Sequence, residues 1–528
     1  MSTDPPLTRR ELRAQREAAE AAAVSSRSNG SEPEAAVPER VERPQPKSAV
    51  SRRPRGPQTP EAKPPTQRRR FGAALAAVLL ALVVLAGGGA AWSLVQGPRV
   101  SSVQVDPAAA IRTSGSRLVF TANQSLEAVD PSQVTVTPAA PFTVDGAGRM
   151  VGVRFTVPLD DATTYTVTVD GVSSKGGGPS TTLTTSFTTP EASLYLLQRD
   201  EQGDDVIVRT TLDGDAQTVY TAPVIDDFRA TSEHLVISES TADSSKVIVT
   251  DPDGGDPQPL TLPGAGTVTD LQVSERGEYV GYLYTDPDPG ADGAQINVLY
   301  TASLRDPSAD PVPLAAKNPP SIAGWRFVPD SNLLTYVDFS GDMEVVDLDS
   351  ADRSPTPFGT ASTVDAVTRG TYIAFVERLD TPGAVLIDLT TGEQSSLVEP
   401  EDDLGTPGAA LPVPGGGTVR QFVTLGDDLL PQSQSVAFVA DDGADRTLFT
   451  TGQGSALMQM CVSPSGRYAA VLEAPDLASN FYGTSALQAM PQKVITHIIE
   501  IDSGDEVSTL DGFDLSWCAV GPWEGGTS

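Results

Sequence analysis

The sequence predicts a mainly β fold, in which a disordered tail and one transmembrane helix precede a β-sandwich and a ring of repeated β-sheets. Three observations lead to this prediction. Residues 71–95 form a charge-free apolar run, residues after 99 alternate apolar and polar side chains as strands do, and the chain from 191 onward repeats itself about every 40 to 50 residues. The predicted domains are therefore 1–70, 71–95, 99–190 and 191–528.

Residues 1–70 form a basic tail on an otherwise acidic chain. They carry 15 Lys and Arg against 9 Asp and Glu, whereas the rest of the chain carries 21 against 60. Thr8 and Glu11 have the spacing of a capping box, which predicts a short helix over 8–24. Residues 25–67 are rich in Pro, Ser, Glu and Arg and are predicted to be disordered. Because the acidic remainder repels polyanions, nucleic acid is not an expected partner.

The apolar run is long enough to cross a membrane. At about 1.5 Å per residue it gives roughly 37 Å of helix, against a hydrocarbon core of about 30 Å. Arg68, Arg69 and Arg70 lie directly before it, so the positive-inside bias places the tail in the cytoplasm and the later domains outside. Trp92 lies where an interfacial aromatic anchor is expected. The sequence thus predicts a single-pass cell-membrane protein with extracytoplasmic C-terminal domains.

A cleaved export signal is the main alternative for this run. Residues 86–91 are small and could present a cleavage site, and Arg68 to Phe71 resembles the core of a twin-arginine signal. The long leader and the strong hydrophobicity of the run favour its retention as an anchor. Whether the segment is retained or removed stays open at this point.

Residues 99–190 are predicted to form a sandwich of short strands. Six segments alternate apolar and polar side chains and are separated by turn residues. These segments are 101–105, 117–121, 133–137, 152–157, 164–169 and 186–189. The region contains no cysteine, so it cannot carry the inter-sheet disulfide of antibody domains.

The same region resembles the bacterial Ig-like domain of S-layer and other surface proteins. The resemblance is carried by Phe120, Asp130-Pro131-Ser132, Pro158-Leu159, Thr164 to Val167, Gly171-Val172 and Phe187-Thr188-Thr189. It implies an Ig-like β-sandwich that acts mostly as a spacer, and it does not imply an activity.

Residues 191–528 contain repeats built of two apolar strands around a tight turn. The clearest copies are 273–284, 327–338, 366–377 and 461–472, and 385–398 and 497–510 show the two strands that follow. The pattern resembles the TolB-type, WD-like β-propeller repeat, whose turn is best matched by Ser463-Pro464-Ser465-Gly466. Six units begin near 224, 267, 322, 362, 418 and 456, and 194–221 supplies three strands without the first.

The end of the chain is predicted to close the ring. If 513–520 is the innermost strand of the opening blade, the resemblance implies a seven-bladed propeller without free edges. That arrangement places Cys518 beside the strand that carries Cys461, the only other cysteine. In an oxidising compartment we expect a disulfide between them; the alternative is two buried thiols.

The motifs of known catalytic sites are missing from the sequence. It has no Gly-x-Ser-x-Gly elbow, no Walker-type phosphate loop and no His-Glu-x-x-His, so the chain is not expected to be an enzyme or to need a cofactor. Two groups of aspartates have spacings that could offer oxygen ligands to calcium, but such pairs are also ordinary hairpin turns, and we predict turns rather than a metal site. The groups are Asp251, Asp253 and Asp256, and Asp286, Asp288 and Asp292.

Long insertions suggest a binding rim. Connections between second and third strands, and links between blades, emerge on one face of a propeller. The longest of them are 286–295, 399–417 and 474–493. They are predicted to bring Glu401, Asp402 and Asp403 near Phe481 and Tyr482, which suits recognition of a partner.

The sequence therefore predicts a cell-surface binding or scaffold protein. An Ig-like stalk would present the propeller to a protein or to a cell-envelope glycan. One alternative is an enzyme that acts on envelope glycans through carboxylates on the propeller face. The other is a transmembrane sensor whose tail relays occupancy of the propeller inward.

Overall fold

The computed structural model describes residues 75–83 and 97–522, apart from 201–202, 242–243, 275, 277, 315–319, 427–430 and 484–486. The chain divides into two units, Met1–Leu80 and Ala81–Ser528. Residues 75–83 form a helix, α1, and no helix within the described ranges is long and apolar enough to cross a membrane. The predictions for the tail, for Arg68, Arg69 and Arg70, and for Trp92 lie outside the described residues, as does most of the apolar run.

The first part of the second unit is a sandwich of two antiparallel sheets. One sheet has the strand order β1-β2-β5-β4 and the other β3-β6-β7. The strands are β1 (Val100–Gln104), β2 (Arg117–Ala122), β3 (Val134–Thr137), β4 (Phe142–Ala147), β5 (Met150–Phe155), β6 (Thr164–Val172) and β7 (Thr181–Thr188). A short helix, α2 (Pro107–Ala110), follows β1, and a 3₁₀ turn (Pro131–Gln133) precedes β3.

A single apolar core lies between the two sheets. Alternate residues of the central strands point inward, among them Phe120 of β2, Phe155 of β5 and Tyr165 of β6, all of them buried. Phe187 of β7 packs on this core, with its ring stacked 5.9 Å from that of Tyr165. The period-two pattern thus places one face of each strand in the sandwich interior.

The described residues from 194 to 511 form seven antiparallel sheets, here called blades 1 to 7. Blade 1 has three strands and the others have four, paired in sequence order. The strands of blades 1 to 4 are β8 (Leu194–Gln198), β9 (Asp205–Thr210) and β10 (Gln217–Ala222); β11 (Ile225–Ala230), β12 (Leu235–Ser240), β13 (Ser245–Thr250) and β14 (Gln258–Pro259); β15 (Thr267–Val273), β16 (Tyr279–Thr285), β17 (Val298–Ser303) and β18 (Val312–Pro313); and β19 (Ile322–Phe327), β20 (Leu333–Asp338), β21 (Asp342–Asp347) and β22 (Thr356–Thr360).

Blades 5 to 7 continue the same pattern. Their strands are β23 (Thr363–Val367), β24 (Ile373–Arg378), β25 (Thr381–Asp388) and β26 (Gln394–Ser396); β27 (Thr406–Pro412), β28 (Thr418–Leu425), β29 (Pro431–Val439) and β30 (Asp445–Thr450); and β31 (Ala456–Val462), β32 (Tyr468–Ala474), β33 (Ile495–Glu500) and β34 (Glu506–Asp511). The first strands of neighbouring blades pack against each other from β8 and β11 through to β27 and β31. This arrangement is a β-propeller.

Apolar layers between the blades hold the ring together. Trp325 of β19 is fully buried between blades 3 and 4, and its ring meets that of Phe327 edge-on at 5.1 Å. Gly281 of β16 makes room for it, since a Cβ atom there would lie 2.3 Å from the indole. Close packing at this layer therefore depends on a large residue in one blade and a glycine in the next.

The chain closes the ring through its last described residues. Leu197 of β8 and Phe513 exchange two backbone hydrogen bonds, of 2.9 and 3.0 Å, on the free edge of blade 1. The predicted strand over 513–520 is thus a single bridge, followed by turns rather than by a regular strand. Cys461 of β31 and Cys518 form a disulfide with their Cα atoms 5.3 Å apart, so the closing segment is tied covalently to blade 7.

Candidate binding site

Two faces of the propeller differ in what covers them. We call the AB face the one that carries the turns between first and second and between third and fourth strands of blades 2 to 7. The BC face carries the connections between second and third strands. The sandwich sits on the AB face: Ser114 Oγ donates to Asp330 Oδ1 (2.8 Å), and Arg467 Nη1 lies 3.5 Å from Thr163 Oγ1. The BC face lies on the opposite side of the ring.

The BC face carries most of the exposed apolar side chains of the propeller. Eight of the eleven large apolar residues that are exposed in the described part of the propeller lie in its connections or, for Leu425, at the strand end beside one. We call these eight the apolar arc: Ile296, Phe339, Leu379, Leu425, Leu477, Phe481, Tyr482 and Leu487. They come from blades 3 to 7, so they follow the ring around more than half of its circumference. A contiguous exposed apolar patch is one mark of an interaction site.

The short connections of the apolar arc are held rigid by hydrogen bonds. Phe339 is 68 % exposed, and Asp338 Oδ1 before it accepts the N–H groups of Ser340 and Asp342 at 2.8 and 3.0 Å. A side chain on such a turn loses little conformational freedom when a partner binds.

Leu379 is the most exposed member of the arc, at 98 %. The residues on either side of it form a bidentate ion pair, in which Arg378 Nε and Nη2 donate to Asp380 at 3.0 and 3.1 Å. The same guanidinium lowers the pKa of the Asp380 carboxyl. The pair closes the β24–β25 turn and leaves the leucine at its tip.

The long β32–β33 connection is also ordered by internal bonds. Asn480 is buried, and its side chain donates to the carbonyls of Pro475 and Lys493 and accepts the N–H of Lys493 at 2.9 Å. Further along, Leu487 donates its N–H to Asp226 Oδ1 of β11 at 2.7 Å. The connection therefore reaches across to blade 2, with Phe481 and Tyr482 on its outer surface.

The structure does not bring the predicted acidic residues to this connection. Glu401 donates its N–H to Gly443 O and Asp402 to Asp445 Oδ2, both at 2.9 Å, which ties them to the β29–β30 turn of blade 6. Turns between third and fourth strands lie on the AB face, whereas Phe481 and Tyr482 lie on the BC face. Asp403 follows in the same link, where its carboxylate accepts the N–H of Gly405 at 3.2 Å.

The acidic residues 401–403 lie away from Phe481 and Tyr482 because the fourth strand of blade 5 is short. Strand β26 has only three residues, so the link that follows begins close to the AB face, and Val398 O accepts a hydrogen bond from Arg420 there.

Phe339 and Leu379 were not predicted as site residues. The only signal for them is a single apolar residue inside a polar turn, in VDFSGD and ERLDTP.

The aspartates considered as calcium ligands act within turns. Asp251 Oδ1 accepts the N–H groups of Asp253 and Gly255 at 2.9 and 2.7 Å, and Asp288 Oδ1 accepts that of Gly290 at 3.2 Å. Among the described residues no group of three or more His, Cys, Asp or Glu is arranged to hold a metal ion.

Buried charges line the inner strands near the closing segment. Arg229 Nη1 lies 2.8 Å from Asp227 Oδ1 and 2.7 Å from Asp514 Oδ1, and all three side chains are almost fully buried. Burial raises the pKa of Asp227 well above its ordinary value, against the attraction of Arg229. Because Asp514 belongs to the closing segment, this ion triad joins the end of the chain to blade 2.

The comparisons with known proteins bear on the fold alone. No protein-family model matches the chain, and no curated protein matches it. Among solved structures, the β-propeller domain of Cps50 (Swd1) from Myceliophteria thermophila is similar over 55% of this chain and 86% of that domain, at 13% identity and a TM-score of 0.36. A structure described as one of two prolyl endopeptidases is similar over 62% of this chain but only half of its own length, at 11% identity and a TM-score of 0.41.

Proposed function

We propose that this chain is a binding protein whose BC face docks a protein partner. The observation that carries the proposal is the apolar arc, which gathers exposed apolar side chains from five blades on one face. Burying them against a partner would gain roughly 25 cal/mol for each Å² of apolar surface removed from water. The hydrogen-bonded turns that present them lower the entropic cost of docking.

The composition of the arc favours a protein over a glycan as the partner. Ile296, Leu379, Leu425, Leu477 and Leu487 are aliphatic, and aliphatic side chains fill pockets on protein surfaces rather than hydrogen-bond to sugars. The strong excess of acidic residues after residue 70 favours a partner with a basic rim around its apolar contact.

We further propose that the binding protein is anchored in the cell membrane and acts outside it. The apolar run at 71–95 behind Arg68, Arg69 and Arg70 supports the anchor. A disulfide between Cys461 and Cys518 suits an oxidising compartment. In this proposal the sandwich is the Ig-like stalk, and it covers the AB face so that the BC face is available to the partner.

Photocrosslinking in native membranes tests the docking proposal. A photoreactive amino acid is placed at position 379 or 481 of the full chain, and captured proteins are identified by mass spectrometry. Position 507, an exposed site on an outer strand, is the matched control. We expect one and the same protein from 379 and 481 and not from 507.

Paired substitutions test whether the arc supplies binding energy. The double variant Phe339→Ser with Leu379→Ser should weaken capture at position 481 by about tenfold or more, because central apolar anchors each contribute 1 to 2 kcal/mol or more. The control variant Val312→Ser with Val507→Ser changes two exposed residues outside the arc and should leave capture intact. Equal capture by both double variants, or no captured protein at all, would refute the proposal.

A further inference from the structure

We propose that a cavity on the AB face, between the sandwich and blades 2 to 7, binds a small organic anion that carries a carboxylate or phosphate on an apolar body. The cavity has a volume of about 900 Å³, close to the upper end for small-molecule sites. We call it the arginine cavity, because its charged lining consists of Arg229, Arg326, Arg369, Arg420 and Asp441. It lies on the face opposite the apolar arc, so this inference does not depend on the proposed docking surface.

The charged residues that line the cavity are mostly basic, whereas the protein as a whole is acidic. Residues 71–528 carry 21 Lys and Arg against 60 Asp and Glu, so a random patch of this chain would be acidic. The cavity instead has four arginines and one aspartate. Low-dielectric walls strengthen the attraction of such a group for an anion.

Arg420 of β28 is the arginine that most needs an anionic partner. Its side chain is buried, yet Nε donates to Thr418 Oγ1 and Nη1 to Val398 O, both at 2.7 Å, and both acceptors are neutral. Burial lowers the pKa of this guanidinium, an effect that the more distant Glu399 opposes. A buried cation held only by neutral acceptors retains a large desolvation cost, which an anion in the cavity would offset.

Arg229 lines the same cavity but, unlike Arg420, it is paired with carboxylates. The positive charge of its guanidinium is balanced by the carboxylates of Asp227 and Asp514. Arg229 therefore stabilises the closing segment and does not attract a further anion. Both residues expose little surface, and Arg420 differs from Arg229 in the charge of the groups that it contacts. We assign the oxyanion-binding role to Arg420.

The remaining walls suit an apolar body. Phe327, Phe375, Leu386 and Leu397 line the cavity from blades 4 and 5. Trp517 closes another side and is held in place by parallel stacking on Tyr468, with ring centroids 5.9 Å apart. A ligand with one charged end and one apolar end would match both parts of the lining.

The sandwich supplies the outer wall. Pro141, Thr156 and Val157 line the cavity from the sandwich side, so an occupant would contact both domains. A volume of about 900 Å³ suits a small molecule as the occupant. The calorimetric experiment below distinguishes a ligand that carries a carboxylate from one that carries a phosphate.

Calorimetry on the full chain in neutral-lipid nanodiscs tests the inference. The probes are 1-naphthyl phosphate and 1-naphthaleneacetate, and 2-(1-naphthyl)ethanol is the neutral probe of similar shape; titrations of empty nanodiscs are subtracted. We expect at least one anionic probe to bind about tenfold or more tightly than the alcohol, as a charge-assisted contact predicts. The stronger of the two anions identifies the ligand class.

Substitution of Arg420 gives the decisive comparison. Arg420→Gln should weaken binding of the anion about tenfold and leave the alcohol unchanged, whereas Arg305→Gln, at an exposed arginine outside the cavity, should change neither. If Arg420→Gln does not fold, Val157→Trp fills the cavity from the sandwich side and should abolish anion binding in a folded protein. Anion binding that survives in the folded cavity variant, or an alcohol that binds as tightly as the anions, would overturn the inference.

Discussion

The disulfide between Cys461 and Cys518 should account for a large share of the stability of the propeller. The bridge closes a loop of 57 residues between blade 7 and the closing segment. In the chain-entropy treatment a loop of that length lowers the entropy of the unfolded state by roughly 14 cal/mol/K, which corresponds to about 4 kcal/mol near 25 °C. Domains of ordinary stability have only about 5 to 15 kcal/mol in total.

The double variant Cys461→Ala with Cys518→Ala isolates this contribution without leaving a free thiol. We expect its propeller transition in urea to shift to lower denaturant by the equivalent of about 4 kcal/mol, with an unchanged slope. Reductant should destabilise the natural protein by a similar amount and should have no effect on the double variant. Two thiols that alkylate in the unreduced protein, or a loss of less than about 1 kcal/mol, would refute the reasoning.

Two further predictions concern buried groups of the propeller. Burial raises the pKa of Asp365 to about 7 from 3.8, so the folded state keeps a proton that the unfolded state releases. The free energy of unfolding should therefore fall by up to about 4 kcal/mol as the pH rises from about 4 to 7. Asp365→Asn should remove this pH dependence, whereas Asp380→Asn, at an exposed carboxylate, should not. Gly281→Ala places a methyl group 2.3 Å from the buried indole and should cost about 1 to 3 kcal/mol in thermal or urea unfolding, whereas Gly290→Ala in an exposed loop should cost less than about 0.5 kcal/mol.

Each of these predictions has a clear contrary outcome. An Asp365→Asn variant with the same pH dependence as the natural protein would mean that this carboxyl does not hold its proton in the folded state. Equal stability of the two glycine variants would mean that the layer between blades 3 and 4 can shift to accept a methyl group.

Local pattern was sufficient to predict much of the fold. The predicted segments 327–338 and 461–472 contain the ends of β19 and β31, the turns that follow, and most or all of β20 and β32, because apolar strands around a tight turn leave a strong short-range signal. Strand β4, FTVDGA, was not predicted, since Gly146 and Asp145 weaken the alternation and pairing with β5 decides its conformation. The closing segment lies at the predicted edge of blade 1, but only Phe513 forms a β-bridge there, and Ser516 adds hydrogen bonds with Tyr195.

The candidate sites depend on contacts that no local pattern records. Phe339 and Leu379 lie 40 residues apart, and they come onto one surface because blades 4 and 5 pack side by side with their β20–β21 and β24–β25 connections on the same face. The path of the link through Glu401 depends on where β26 ends, which is set by its pairing with β25. Likewise, Arg326 and Arg420 reach one cavity because their blades are neighbours of blade 5 and the sandwich covers the gap.

The closing segment also fixes the order in which the propeller can be completed during synthesis. Blade 1 is the first blade to be made, yet its inner edge contacts residues that are made much later; Tyr195 and Ser516, which are bonded at 3.1 Å, are 321 positions apart in the chain. Until the closing segment around Phe513 and Ser516 has been made, blade 1 keeps an unpaired strand edge, and such edges invite pairing with other chains. The nascent propeller is therefore open to aggregation while blades 2 to 7 are being made, and the closing segment ends that period.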